Sequence, residues 1–102
     1  MGIPVTKQIA RHPGNLIAHL LEENELTQSD LARALKVTQA KISEIVNGRR
    51  GIGIEMAVKL GKFFETGPEL WVDLQSAWNL SRVDQKVVTK GVKSIDQYRK
   101  AA

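Results

Sequence analysis

The chain has no cysteine. Disulfides, thiolate zinc sites and cysteine nucleophiles are therefore excluded. Histidine is nearly absent too. His12 and His19 are the only two, and neither has carboxylate or cysteine company at metal-ligand spacing, so no metal or other cofactor is expected. No apolar run approaches the length of a membrane span, and no secretory signal is expected at the start. The groupings that make an enzyme are missing as well. No nucleophile stands beside an oriented base, and Glu22 and Glu23 are neighbours whose side chains diverge on a helix. "NGRRGIG" has three glycines but neither the spacing nor the preceding strand of a phosphate loop. A catalyst is not expected.

What is present is the composition of an ordinary globular chain, 42% hydrophobic and 25% charged over 102 residues. That is enough for one domain, or one domain and a tail. The net charge of +4 is unevenly placed. Residues 1–80 carry nine Lys/Arg and nine Asp/Glu, whereas residues 81–102 carry six Lys/Arg and two Asp. Within the neutral part the signs are also sorted. Glu22, Glu23, Glu25 and Asp30 sit together, and Lys36, Lys41, Arg49 and Arg50 gather with only Glu44 among them. Such sorting suits a solvated mixed surface, or a basic face for an anionic partner such as nucleic acid.

Hydrophobic periodicity makes the chain all-α, with five helices. Residues 1–14, broken by Pro4, Pro13 and Gly14, read as an arm. From Asn15, placed to cap the first helix, Leu16, Ile17, Leu20 and Leu21 form a stripe. Thr27 caps a second helix with inner residues Leu31, Ala32 and Leu35, and Asp30 favours its positive first turn. Thr38 caps a third, in which Ile42, Ile45 and Val46 face inward, and Gly48 stops it. "RRGIG" is a loop. A fourth helix carries Ile54, Met56, Ala57, Leu60, Phe63 and Phe64, and a fifth begins at Pro68. The domain spans 15–80, and 81–102 is a basic tail in which "QKVVTKGV" has strand character and "SIDQYRKAA" suits a frayed helix.

Two short helices joined by a tight turn let one protrude while the other braces it. Outward positions of the third helix are Gln39, Ala40, Lys41, Ser43 and Glu44. Gln39 can read an adenine edge, Lys41 can reach guanine or phosphate, and Ala40 can touch a thymine methyl. Gln28, Asn47, Arg49 and Arg50 are placed for phosphates. Any amphipathic helix also has a polar outer face, so these residue types alone leave a plain solvated surface open. Trp71 and Trp78, seven apart with Leu74 between them and Leu70 beside them, are either core or the seam of a symmetric dimer.

The stretch "TQSDLARALKVTQAKISEIVNGRR" resembles the phage-repressor (XRE-type) helix-turn-helix. It follows the pattern Gln-x-x-Leu-Ala-x-x-x-x-Val-Ser/Thr-x-x-x-Ile-Ser-x-x-x-Asn-Gly from Gln28 through Thr38 to Gly48. Together with "HPGNLI" at 12–17 and "EMAVKLGKFFETGPELWVDLQSAWNL" at 55–80, residues 12–80 resemble the HigA-type antitoxins of bacterial toxin–antitoxin modules. The resemblance implies a cytoplasmic homodimer that binds operator DNA, represses its own operon and neutralises a HigB-type ribonuclease toxin. A solitary regulator and an interaction module without DNA binding stay open as alternatives. Three positions depart from the family pattern: Lys36 stands where glycine is usual in the turn, Asn15 where glutamate is usual, and Gly53-Ile54-Glu55 where Thr-Pro-Glu often starts the fourth helix.

Overall fold

The computed structural model describes residues 11–101. They form α1 (Pro13–Glu23), α2 (Gln28–Leu35), α3 (Gln39–Val46), α4 (Ile54–Phe63), α5 (Pro68–Ser81), α6 (Gln85–Val88) and α7 (Ile95–Ala101). The chain is all-α, with no strand among the described residues. The first ten residues of the expected arm lie outside the described ones. Helices α1–α5 pack into one body, and none of the seven helices is long and apolar enough to cross a membrane.

Local chemistry sets the helix ends. The Thr27 hydroxyl accepts from the Asp30 N–H at 3.0 Å while the Asp30 carboxylate accepts from the Thr27 N–H at 2.9 Å, a reciprocal capping box. The Thr38 hydroxyl accepts from the Lys41 N–H at 3.1 Å, as its place in the sequence leads one to expect. The expected start of α1 needs correction. Helix α1 begins at Pro13, not after Asn15, and its cap is His12, whose Nδ1 accepts from the Gly14 N–H at 3.0 Å. Pro13 supplies the first helical residue, where its missing N–H costs nothing. Pro13 and Gly14 are thus buried parts of the body and not of an arm.

The core is Ile17 and Leu21 from α1, Leu31, Ala32 and Leu35 from α2, Ile42 and Ile45 from α3, and Met56, Ala57 and Leu60 from α4, closed by Trp71 of α5. Ile52, in a segment read from sequence as plain loop, is also buried. Of the apolar residues of the fourth helix, Ile54 and Phe63 are exposed. Two close approaches set the packing. A Cβ on Gly14 would lie 2.0 Å from the Ile45 carbonyl oxygen, and one on Gly61 2.4 Å from the Gly67 carbonyl carbon. The start of α1 therefore rests on the backbone at the end of α3, and α4 on the entry to α5.

Lys36 ends α2 at φ 57° and ψ 46°, the left-handed conformation that costs a residue with a Cβ about 1–2 kcal/mol. Lys36→Gly is expected to stabilise the domain by about 1 kcal/mol, a rise in Tm of roughly 4–8 °C. Thermal unfolding checks this, and an unchanged or lower Tm contradicts a relaxed left-handed turn there.

The tail is helical where strand character was expected. Asp84 caps α6 by accepting from the Val87 N–H at 3.2 Å, and there is no neighbouring strand among the described residues to satisfy an extended segment. Every residue from Arg82 to Ala101 is exposed. The radius of gyration is 17.6 Å, against about 13 Å for a compact domain of this length, because the tail stretches the molecule to 60 × 29 × 24 Å.

Candidate nucleic-acid interface

The tight link Lys36–Val37–Thr38 joins α2 to α3, and α3 is held from three sides. Ile42 and Ile45 are fully buried beneath it, α2 packs on one flank, and the start of α1 abuts its last turn. Its other side is open. Thr38, Gln39 and Ala40 are exposed, and Lys41, Ser43 and Glu44 are half-buried along their stems. The Gln39 side chain has no hydrogen bond and Lys41 no ion pair within the described residues, so their polar ends are unengaged, and the Ala40 methyl is exposed beside them. A rigid helix with a free polar N-terminal end matches what a major groove accepts.

The loop after α3 is fixed as firmly. The Arg49 and Arg50 N–H groups both donate to the Glu44 carbonyl, at 2.8 and 3.2 Å, and Gly48 turns the chain at φ 75°. Asn47 donates to the Ser43 hydroxyl at 3.3 Å. Glu44 and Arg50, expected to act separately, meet instead: the Arg50 guanidinium approaches the Glu44 carboxylate at 3.2 Å. This pairing orients Arg50 and turns Glu44 toward the loop. Arg49 is exposed and forms no ion pair among the described residues. Gln28 stands half-buried at the opening turn of α2, where free backbone N–H groups favour an anion. The Asp30 carboxyl in the same turn is held below its ordinary range, first by the Thr27 N–H it accepts from and then by the Thr27 side chain.

Two residues beneath this surface were not legible as functional. Gln75 of α5 accepts from the Ile52 N–H at 2.7 Å through Oε1 and donates from Nε2 to Asn79 at 2.9 Å, tying the loop that carries Arg49 and Arg50 to α5. A lone glutamine four residues after a core tryptophan is the only sequence signal for it. His12 does more than cap α1. Its ring meets Trp78 edge to face at 5.5 Å and lies beside the Arg50 backbone. Burial pushes its pKa down, and the Arg50 backbone opposes this only in part, a direction that favours the unprotonated Nδ1 on which the cap relies.

The dimer-seam expectation needs a correction at one residue. Trp71 is 0% exposed within its own chain, and its Nε1–H donates to the Thr66 hydroxyl at 2.9 Å. It cannot present a face to a second copy. Leu70, Leu74 and Trp78 are half-buried, with Leu70 and Leu74 packed against the core. His19, the second histidine, pairs with Glu23 at 3.0 Å, and no group of three ionisable residues among the described ones could hold a metal.

A helix-turn-helix family model matches residues 17–71, which contain α2, α3 and the link between them. The chain belongs to the helix-turn-helix family. This helix-turn-helix protein is 44% identical over 80 residues to virulence-associated protein A′ of Dichelobacter nodosus, a match covering 78% of this chain and 70% of that one. Its fold is similar to that of the Pseudomonas aeruginosa antitoxin HigA solved with the higBA promoter, with a TM-score of 0.70, 34% identity, and coverage of 80% of this chain and 88% of that one. It is also similar to a second P. aeruginosa protein solved with its 28-base-pair operator DNA, with a TM-score of 0.79, 32% identity, and coverage of 84% and 99%. The resemblance to HigA-type antitoxins seen in the sequence is thus met by the solved structures.

Proposed function

We propose that this helix-turn-helix protein is an operator-binding repressor and antitoxin that acts as a homodimer in the bacterial cytoplasm. Helix α3 enters the major groove. Gln39, Ala40, Lys41 and Ser43 face base edges, with Thr38 and Glu44 at the margin of the contact. Gln28, Asn47, Arg49 and Arg50 hold phosphates. Leu70, Leu74 and Trp78 of α5 belong to the seam between copies, with Trp71 behind them as core. The two copies place their α3 helices on half-sites about 34–36 Å apart, one turn of B-DNA.

The observation that carries this reading is the braced α3 with unengaged Gln39 and Lys41 at its exposed start. It occurs in a chain more than 30% identical to proteins solved on operator or promoter DNA. The antitoxin role, the neutralisation of a HigB-type ribonuclease and repression of its own operon are drawn from the likeness to HigA. A reporter under the DNA upstream of this gene tests both halves. The chain is expected to silence the reporter, and a small ribonuclease encoded beside it is expected to arrest growth only when this chain is absent. Silencing with no such ribonuclease nearby points to a solitary regulator. No silencing contradicts the repressor reading.

A further inference from the structure

Helices α6 and α7 are an anomaly. They have four and seven residues, lengths that do not hold together alone in water. They and the link between them nevertheless carry Val87, Val88, Val92, Ile95 and Tyr98, each between 65 and 69% exposed. Apolar residues at this density on an otherwise uncovered segment mark a surface that is covered by a partner. Interleaved with them are Lys86, Lys90, Lys93, Arg99 and Lys100. The tail therefore suits a surface that is apolar at its floor and acidic at its rim.

Two apolar hollows of the body differ in the charge of their lining. Between α2 and α4 a groove of about 520 Å³ is lined by Leu35, Val58 and Phe63 and by Lys36, Lys59 and Lys62 against the single acid Glu65, a net positive lining that disfavours the basic tail. Between α4 and α5 a hollow of about 260 Å³ is floored by Ile54, Val58, Pro68 and Val72 and edged by Glu69 and Asp73. Its floor explains why Ile54 and Val58 stay exposed, at 68 and 53%, on a helix whose other face is core.

We propose that the tail of one copy seats in the α4/α5 hollow of a second copy, in reciprocal exchange. This rests on the homodimer reading. Topology favours the second copy over the tail's own body. With the two-fold axis perpendicular to α5, the two α5 helices of the dimer run antiparallel, and each is about 21 Å long. The end of one, where the tail begins at Arg82, then lies beside the start of the other, where Pro68, Glu69 and Asp73 line the hollow. The apolar content favours this seat over DNA, which would use the lysines and arginines and leave the five apolar side chains uncovered.

The test uses the full chain, whose lack of cysteine makes introduced thiols unambiguous. Sedimentation first establishes the oligomeric state. Chains with Ile54→Cys, which lines the α4/α5 hollow and not the lysine-edged groove, are then mixed with chains bearing Val92→Cys or Tyr98→Cys and mildly oxidised. A covalent pair between the two chains is expected, while Phe63→Cys, in the lysine-edged groove, is expected not to pair. Glu69→Lys with Asp73→Lys should slow the pairing about ten-fold, and Lys90→Glu with Lys93→Glu should restore it. A dimer that pairs equally well at Phe63→Cys, or does not pair at all, overturns the seat and leaves the homodimer standing. Loss of salt dependence in DNA binding on removing the tail lysines, with no cross-link, assigns the tail to DNA and also overturns it. A monomer under operator-binding conditions overturns both readings.

Discussion

Trp71→Ala lowers the stability of the folded domain by about 3–5 kcal/mol in urea denaturation, a large part of what a domain this small possesses. Trp71 is fully buried among the core residues, its ring stacks obliquely on Phe64 at 5.9 Å, and its indole N–H is satisfied by Thr66. Truncation empties the wedge between α4 and α5 and leaves the Thr66 hydroxyl without its donor. Trp78 remains as a fluorescent reporter of unfolding. A loss below about 1.5 kcal/mol, the range of well-tolerated core exchanges, together with a weakened dimer would return Trp71 to the seam and contradict its placement in the core.

Gly14→Ala destabilises by about 3 kcal/mol, the upper end for overpacking, and weakens operator binding at least about ten-fold. All three atoms that a Cβ would meet are backbone: the Ile45 carbonyl oxygen at 2.0 Å, its carbon at 2.9 Å and the Val46 Cα at 2.9 Å. No rotamer change relieves such a clash, so α1 must lift from α3. Lifting α1 carries His12 away from Trp78 and from the Arg50 backbone, loosening the loop that presents Arg49 and Arg50. Gly53→Ala is the control, since nothing lies within 4 Å of a Cβ there. Urea denaturation in which the two variants are equally stable would contradict the α1–α3 contact.

Helices α2 and α3 were legible because periodicity and capping agree: Thr27 and Thr38 each stand three residues before the N–H they accept from. The start of α1 was missed because asparagine is the commoner cap, while the better signal was Pro13 at the first helical position with a histidine before it. Periodicity put Trp71 and Trp78 on one face but could not say how deep each lies. Depth depends on Gly61, whose missing side chain lets the entry to α5 close on α4. Ile52 was hidden because a single apolar residue between glycines has no period, and its burial depends on Gln75, twenty-three residues away. The residues proposed to face DNA were named from their positions on α3, whereas the supports beneath them, His12 and Gln75, are tertiary and left almost no trace.

The most direct measurement is fluorescence anisotropy with the native chain and a Gln39→Ala/Lys41→Ala variant, on the DNA upstream of the gene and on a scrambled duplex, at two salt concentrations. The native chain is expected to prefer its own DNA by about 10³-fold or more. The variant is expected to lose most of that preference, at about 1–3 kcal/mol for each base contact removed, while keeping weak, salt-sensitive binding through Arg49 and Arg50. If native and variant chains bind both DNAs alike, or neither binds, α3 is not a recognition helix and the protein's partner is not operator DNA.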